Sequence, residues 1–247
     1  MRLRTGLSWL AFLGTPILVS AAEGVFSVEA AIGTSDNIAR TIDDEQSETI
    51  TSLGTEFGLV HDSRRLNVNL AGDLAWFDYL DDTYDSEIVG AAGASLEVSL
   101  IENLLSWSFV DRFGQARRDL LDAPTPGNRE YLNQFSTGPD ITIPLGETTY
   151  VVASSRYMHV NYEDSPFDSQ RFVHTAGLRR ALSPNSSLTV RASLQSIDPD
   201  ENPLYEIREA VIAYGATGAR TDIGLEAGFS QVKQDGRDDD PDAVVRF

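Results

Sequence analysis

Apolar and polar residues alternate at every second position in many segments of this chain. In 66–79, for example, Leu70 and Leu74 fall on one face and Asn69 and Asp73 on the other. Successive side chains of a strand point to opposite sides, so this spacing predicts strands with one oily and one polar face. Similar segments are 24–38, 52–61, 87–101, 187–197 and 221–231, with weaker alternation in 104–114, 131–145, 149–162, 171–182 and 205–215. The chain is therefore predicted to be all-β.

The connections between these segments alternate between short turns and longer acidic gaps. The short turns are 61–64, 102–103, 145–148, 183–186 and 216–219. The longer gaps are 39–49, 80–86, 115–130, 163–168, 198–204 and 233–242. Outer-membrane barrels have short periplasmic turns, longer extracellular loops and an even strand number. The pattern predicts an antiparallel transmembrane β-barrel of roughly twelve strands.

The first residues are typical of a secretory signal peptide. Arg2 and Arg4 precede an apolar run at 7–19, and small residues follow at 20–22. The run is shorter than the roughly 20 residues that a spanning helix needs, which argues against a membrane anchor. We expect residues 1–22 to be cleaved and residues 23–247 to form the barrel. The predicted location is the outer membrane of a Gram-negative cell.

Composition limits the classes of partner and site. The formal charge is −19 and there is no cysteine. Phosphate binding needs a basic surface, so nucleic acid is excluded as a partner. Disulfides and thiolate metal sites are excluded as well. A secreted soluble β-sandwich is the alternative to a barrel, with the oily positions packed against a second sheet.

The alternation places charged residues on the polar, lumen-facing side of the predicted strands. Charges on the lipid side would be costly, at about 2–4 kcal/mol for a midplane Arg or Lys. The charges either pair as a structural ladder, which a narrow barrel favours, or line an aqueous path. The predicted lumen-facing residues are Glu29, Glu56, Asp73, Glu97, Arg112, Arg191 and Glu226.

Aromatic residues cluster near strand ends, where membrane-interface girdles occur. A soluble core is the alternative explanation for them. The final Phe247 resembles the terminal signal read by the barrel-assembly machinery, a predicted partner during insertion. Few residues follow the last acidic gap, so either the final strand is short or the native chain is longer. The predicted girdle residues are Trp76, Tyr79, Trp107, Phe113, Tyr157 and Tyr162.

Acidic segments offer one calcium-like spacing. Asp198, Asp200, Asn202 and Glu209 follow the order of a calcium loop, but Pro203 stands where such a loop needs glycine. A solvated, self-repelling outer rim explains the acidic residues without a metal. No metal site and no cofactor are predicted.

The three histidines do not form an obvious catalytic group. His61 lies in a short turn, and His159 and His174 lie in strand segments without a nearby serine–carboxylate grouping in sequence. Phosphate-loop, dinucleotide-glycine and metalloprotease motifs are absent from the sequence. The chain is therefore predicted not to be an enzyme, and a barrel hydrolase stays a minor alternative.

The first hairpin carries a resemblance to a known family. Asp36 and Asn37 follow the first strand, a polar loop leads into 51–61, and Arg64 and Arg65 precede 66–79. This arrangement resembles the outer-membrane barrel proteins that accompany exopolysaccharide-export and PEP-CTERM (exosortase) systems. Beyond residues 25–79 the similarity is architectural only. The resemblance implies a non-enzymatic role at the cell surface in moving or anchoring polysaccharide.

These observations lead to three functional expectations for a barrel that contacts outer-membrane lipid. The first is surface-polysaccharide export, or a small porin-like channel for solutes. The second is a structural or adhesive barrel with a plugged lumen. The third, a hydrolase, has the least support from the sequence.

Overall fold

The computed structural model of the chain describes residues 8–12, 22–123, 125–234, 237–238 and 242–246. They are almost entirely β-structure, which confirms the predicted all-β class. The strands are β1 (Ser8–Phe12), β2 (Glu23–Ser35), β3 (Glu48–Asp62), β4 (Leu66–Tyr79), β5 (Glu87–Ile101), β6 (Leu105–Arg117), β7 (Arg129–Pro144), β8 (Thr149–Tyr162), β9 (Ser169–Ser183), β10 (Ser186–Pro199), β11 (Tyr205–Thr217), β12 (Asp222–Gln234), β13 (Arg237–Asp238) and β14 (Asp242–Arg246). A single 3-10 turn, Pro126–Asn128, precedes β7.

The strands form one sheet in which neighbours in sequence are neighbours in space. β13 and β14 both pair with β12, so together they count as one strand position in the sheet. With β2 to β12 they confirm the predicted number of roughly twelve strands. The pairings of the described residues follow an open path, so closure into a barrel stays a prediction. No helix in the described ranges is long and apolar enough to cross a membrane.

The chain divides into two compact units. Unit 1 comprises residues 1–96, 110–134 and 162–165, and unit 2 comprises residues 97–109, 135–161 and 166–247.

Unit 1 contains β2, β3 and β4, whose register keeps the oily and polar faces separate. Phe57 stands opposite Phe26 on β2 and Gly72 on β4. Its ring covers the glycine, where an added Cβ would lie 2.4 Å from the ring tip. The neighbouring row pairs Glu56 with Asp73 on the opposite face. Paired residues share a face, so the register confirms the separation predicted for these strands.

Gly90 in β5 marks a place where two backbones of unit 1 approach closely. Its φ is +127°, and an added Cβ would lie 2.0 Å from the carbonyl oxygen of Asp73. Only glycine adopts this conformation without strain, and only glycine leaves space for the neighbouring strand.

Unit 2 contains β9 to β12 and β14, which pair in continuous antiparallel register. Val190 on β10, for instance, pairs with Leu178 on β9 and with Ile212 on β11. The row continues through Ala227 on β12 to Val245 on β14. Because the register is kept from strand to strand, one apolar row extends across five neighbouring strands.

The short turns lie where the sequence predicts them. Between β3 and β4, the amide of Ser63 donates to the carbonyl of Leu66 at 3.1 Å. Between β5 and β6, Asn103 adopts a φ of +59°, a left-handed conformation that asparagine tolerates. Between β11 and β12, the amide of Gly218 donates to Thr221 at 2.7 Å. Within each unit, these turns lie at one end of the strands and the long loops at the other.

One predicted gap is wrong. Residues 233–242 were expected to form a wide acidic loop. Instead β12 continues to Gln234, and Lys233 and Gln234 pair with Asp238 and Arg237. The many carboxylates of this stretch suggested a loop, but charge density says little about backbone pairing. Residues 235, 236 and 239–241 are outside the described part.

Most of the predicted signal peptide is also outside the described part. Residues 1–7 and 13–21 are not described, so cleavage after residue 22 stays a prediction. Within the same segment, β1 pairs with Val28–Ile32 of β2. Phe247, the predicted assembly signal, lies outside the described residues as well.

Candidate functional site

The oily face of unit 2 is exposed. In the row that crosses β9, β10, β11 and β14, Leu178 is 50%, Val190 52%, Ile212 54% and Val245 60% exposed. Rows of aliphatic side chains this continuous are uncommon on soluble monomers, and they mark contact with a membrane or a partner. This face is the strongest functional feature of the unit.

The apolar character of that face ends toward the long loops. The row beyond the alanines Ala192 and Ala210 pairs Leu194 with His174 and Arg208. In the next row, Glu206 stands opposite Lys233. Polar residues therefore occupy both faces of the strands near the loops. The strands have an apolar band and, on its loop side, a polar collar.

Unit 1 shows the same exposed apolar face. Phe26 is 55%, Leu53 53% and Trp76 44% exposed. Leu53 and Trp76 stand opposite each other on β3 and β4. In contrast, the buried hydrophobic residues of the described part are Tyr79, Ile197 and Val211. A soluble β-sandwich would bury its alternating aliphatic residues between two sheets, whereas here they are largely accessible.

The polar face of unit 2 carries a network of charged side chains. Arg191 on β10 lies 2.8 Å from Glu226 on β12. Arg246 on β14 lies 3.1 Å from Glu226 and 2.7 Å from Glu209 on β11. Arg246 thus joins both carboxylates through its two terminal nitrogens. The network links strands β10 to β14 on the face opposite to the exposed aliphatic row.

Sequence reasoning identified only half of this network. Arg191 and Glu226 were predicted to face the lumen. The structure brings the two side chains together on one face, and their orientation toward a lumen stays a prediction. Glu209 was assigned to a calcium-like spacing; the structure places it mid-strand, against Arg246, which excludes it from an ion-binding loop. Arg246 was missed because its strand is set by pairing with β12. The alternation of Val245 with its neighbours was the only sequence signal available for it.

The polar face of unit 1 has a different charge pattern. Glu56 and Asp73 stand directly opposite each other, and both are exposed. Glu29 lies over Gly54, where an added Cβ would be 2.8 Å from its side chain. The register therefore places these three carboxylates on one face, and the orientation of that face toward a lumen stays a prediction. Like charges directly opposite repel, so this face of unit 1 favours cations or solvent.

The other two predicted lumen charges, Glu97 of β5 and Arg112 of β6, are exposed. Their orientation toward a lumen stays a prediction.

The buried Glu48, at the start of β3, binds the long loop that follows β4. Its carboxylate accepts hydrogen bonds from the amides of Asp81 at 2.9 Å and Thr83 at 3.1 Å, and from Thr49 at 2.9 Å. Glu48 is only 2% exposed and is the first residue of β3. Burial by itself would raise the pKa of its carboxyl, but the backbone hydrogen bonds outweigh it and lower the pKa below the ordinary 4.5.

Glu130 at the start of β7 repeats this arrangement. Its carboxylate accepts hydrogen bonds from the amides of Ser165 at 2.8 Å and Asp164 at 3.3 Å. It is 3% exposed. A backbone hydrogen bond extends the pairing of these strands, because the carbonyl of Tyr131 accepts from the amide of Glu163 at 3.0 Å. Within unit 1, two buried carboxylates thus tie strand starts to the next long loops.

Three predicted girdle residues lie with other aromatic or polar groups. The ring of Tyr157 lies 5.1 Å from that of Phe172 on the apolar face of unit 2. The ring of Phe113 lies 5.5 Å from that of Tyr131 in unit 1. The indole nitrogen of Trp107 donates to Thr137 at 2.8 Å. The Tyr157–Phe172 pair lies in the row of Ser196, at the polar collar of unit 2, and the girdle roles of these residues stay a prediction.

Tyr79 differs from its predicted place. It shares the polar face with Asp73, is 5% exposed, and donates through its hydroxyl to Glu87 at 2.6 Å. A girdle residue projects from the apolar face, so the structure corrects this assignment. Tyr162, at the end of β8, is half-buried, and its girdle role stays a prediction.

One serine and one histidine meet across strands. The hydroxyl of Ser155 lies 3.0 Å from Nδ1 of His174, on the same face as Leu178. Distance in sequence had hidden this contact. The contact alone does not form a hydrolytic site, which also needs an orienting third group and an oxyanion hole. Within the described ranges, no group of three or more metal-ligating side chains is present.

Comparisons with known proteins give no family assignment. No protein-family model matches the chain. No curated protein matches it either.

Proposed function

We propose that this chain is a non-enzymatic outer-membrane β-barrel that serves surface-polysaccharide export or acts as a small channel. The exposed aliphatic row through Leu178, Val190 and Ile212, with the charged network on the opposite face, carries the proposal. Outer-membrane strands alternate in this way, with apolar side chains toward lipid and polar ones toward the lumen. The polysaccharide part rests on the resemblance of residues 25–79.

The alternation between short turns and long loops also supports an outer-membrane location. The loops carry most of the dense acidic stretches, for example at 81–85 and 198–201. Outer-membrane barrels direct their longer loops to the cell exterior. The proposal therefore places the polar collar and the acidic loops on the cell surface.

A structural or adhesive barrel with a plugged lumen is the second candidate. The network of Arg191, Glu226, Arg246 and Glu209 favours it, because these side chains satisfy one another across neighbouring strands. Charges that pair across strands stabilise the polar face. They also leave fewer charged groups to bind a solute in transit. This candidate shares the fold and the location of the first.

Conductance separates the two candidates. The full chain, purified from outer membranes, is inserted into planar bilayers. A channel gives discrete ion-conducting steps, and the acidic pair Glu56–Asp73 predicts selectivity for cations over anions. A plugged barrel gives no steps while remaining folded and inserted.

Secretion in the native cell tests the export role. Deletion of the gene is expected to lower cell-surface polysaccharide, and the wild-type chain is expected to restore it. Unchanged surface polysaccharide together with absent conductance would remove the transport reading and leave the structural one.

A further inference from the structure

Unit 1 contains a cavity at its long-loop end. Its volume is about 280 Å³, and its lining includes Tyr84, Glu87, Gln115, Gly127, Arg129 and Tyr131. This volume is just below the roughly 300–1,000 Å³ of drug-sized sites, so it fits a small ligand. The lining comes from the loop after β4, the start of β5, the end of β6 and the start of β7. Every lining residue belongs to unit 1.

Within the described part of the chain, five of the six charged groups that line the cavity have protein partners, and Asp85 is the exception. Glu87 lies 3.2 Å from Arg129 and accepts the hydroxyl of Tyr79. Glu130 accepts loop amides, and Arg118 pairs with Asp164. A phosphate would need an unmatched cation, whereas both lining arginines are paired, and the single carboxylate of Asp85 supplies too few oxygens to hold a metal ion. The cavity therefore favours a neutral ligand rich in hydrogen-bonding groups.

Two tyrosines give the cavity flat apolar surfaces beside its polar groups. The hydroxyl oxygen of Tyr131 accepts a hydrogen bond from the amide of Ile88 at 2.8 Å, which fixes the ring. Gln115 donates to the carbonyl of Ile88 at 2.6 Å, which fixes the amide. A pyranose ring has an apolar C–H face and hydroxyl groups at its edge. Rigid aromatic faces next to fixed planar amide and carboxylate groups match that chemistry.

We propose that this cavity binds one neutral sugar unit of a saccharide chain. The inference deepens the proposed function and rests on it only for the source of the saccharide, which would be the exported or anchored polymer. The tyrosine rings contact the C–H face of the sugar. The matched carboxylate, guanidinium and amide groups accept and donate hydrogen bonds at its hydroxyls.

The glycines of the chain provide a matched test. A Cβ on Gly127 would lie 3.4 Å from the ring of Tyr84, which is an ordinary contact, so a larger side chain would grow into the cavity. A Cβ on Gly146, in the turn between β7 and β8, meets nothing within 4 Å. Gly127→Leu should block the site, and Gly146→Leu makes the same substitution away from it. Ser86 also lines the cavity, so Ser86→Phe is the second filled variant if Gly127→Leu does not fold.

Binding is measured by calorimetry on the full chain in detergent, with neutral glucan and galactan oligosaccharides and with oligogalacturonate. We expect a neutral oligosaccharide to bind the wild type and Gly146→Leu equally, and to bind the filled variant at least about tenfold more weakly. Oligogalacturonate should bind more weakly than its neutral counterpart.

Three results would overturn the proposal: no neutral oligosaccharide binds, filling the cavity leaves binding unchanged, or the acidic oligomer binds as tightly. This readout is independent of conductance and secretion. Loss of transport with retained, Gly127-sensitive binding would refute export and keep the site. Intact transport without binding would refute the site alone.

Discussion

Glu48 and Glu130 show how single residues order the long loops of unit 1. Each is buried at the start of a strand and accepts amide hydrogen bonds from a loop more than thirty residues later. Backbone amides that lack a strand partner need another acceptor when they are removed from water. A carboxylate supplies several acceptor positions at once, and charge-assisted bonds are the stronger kind. These two residues therefore replace the pairing that the loops lack.

The role of Glu48 predicts a local effect of its substitution. Glu48→Gln keeps the size of the side chain but turns an amide donor toward the loop amides. We expect faster hydrogen exchange at Asp81 and Thr83, and an unchanged rate in β10. Hydrogen exchange read by mass spectrometry measures both regions. Glu102→Gln, in an exposed short turn, is the control and should leave all rates unchanged.

The lowered pKa of Glu48 gives the same loop a dependence on pH. A carboxyl whose pKa is lower in the folded state stabilises that state above its unfolded value, and this contribution disappears as the pH falls through the folded value. The protection of the amides in 80–84, measured as the exchange rate relative to the intrinsic rate at each pH, should therefore decrease below the ordinary value of 4.5. Glu48→Gln should remove that decrease. Equal pH dependence in both proteins would contradict the assignment.

At the scale of single strands, one face carries apolar side chains and the other carries polar ones. On β10, Val190 projects from the apolar row, while Ser193 projects from the polar face opposite Glu209. Register carries this difference across β9 to β14. A shift by one residue would exchange the two faces, so pairing in this unit is strongly specified.

A lysine on either face of β10 tests which side contacts lipid. Val190→Lys should lower the amount of folded protein in the outer membrane, because the charge costs about 2–4 kcal/mol near the bilayer midplane. Ser193→Lys adds the same charge toward Glu209 and should accumulate normally. Outer-membrane fractions are compared by immunoblot. Equal accumulation of both variants would contradict a lipid-facing Val190.

Arg246 holds the last described strand to its neighbours. Arg246→Gln removes the partner of Glu209 and one partner of Glu226. Because Arg246 is about half exposed, solvent screens its ion pairs, and we expect only a small decrease in the urea midpoint. The urea midpoint of the full chain, followed by tryptophan fluorescence, measures it. Arg220→Gln, in the exposed turn before β12, should not move the midpoint.

At the scale of the whole molecule, the central prediction is closure of the sheet. A sheet edge exposes unpaired backbone groups, which cannot stand in lipid, so membrane insertion requires that every edge be paired. Closed barrels commonly resist detergent until heated. We expect the mature chain from outer membranes to migrate faster on a gel before boiling than after it. Identical migration of a folded, inserted chain would contradict closure.

The sequence alone determined the strands, their order and the two-faced alternation, because period-two patterning and turn residues act locally. It placed Arg191 and Glu226 on one face for the same reason. Only the tertiary structure decided which distant residues meet. Glu209 with Arg246, Glu48 with the 81–83 amides, Tyr79 with Glu87, and the hairpin hidden in 233–242 all depend on pairing register between strands. Register is a property of two segments together, and neither segment contains it by itself.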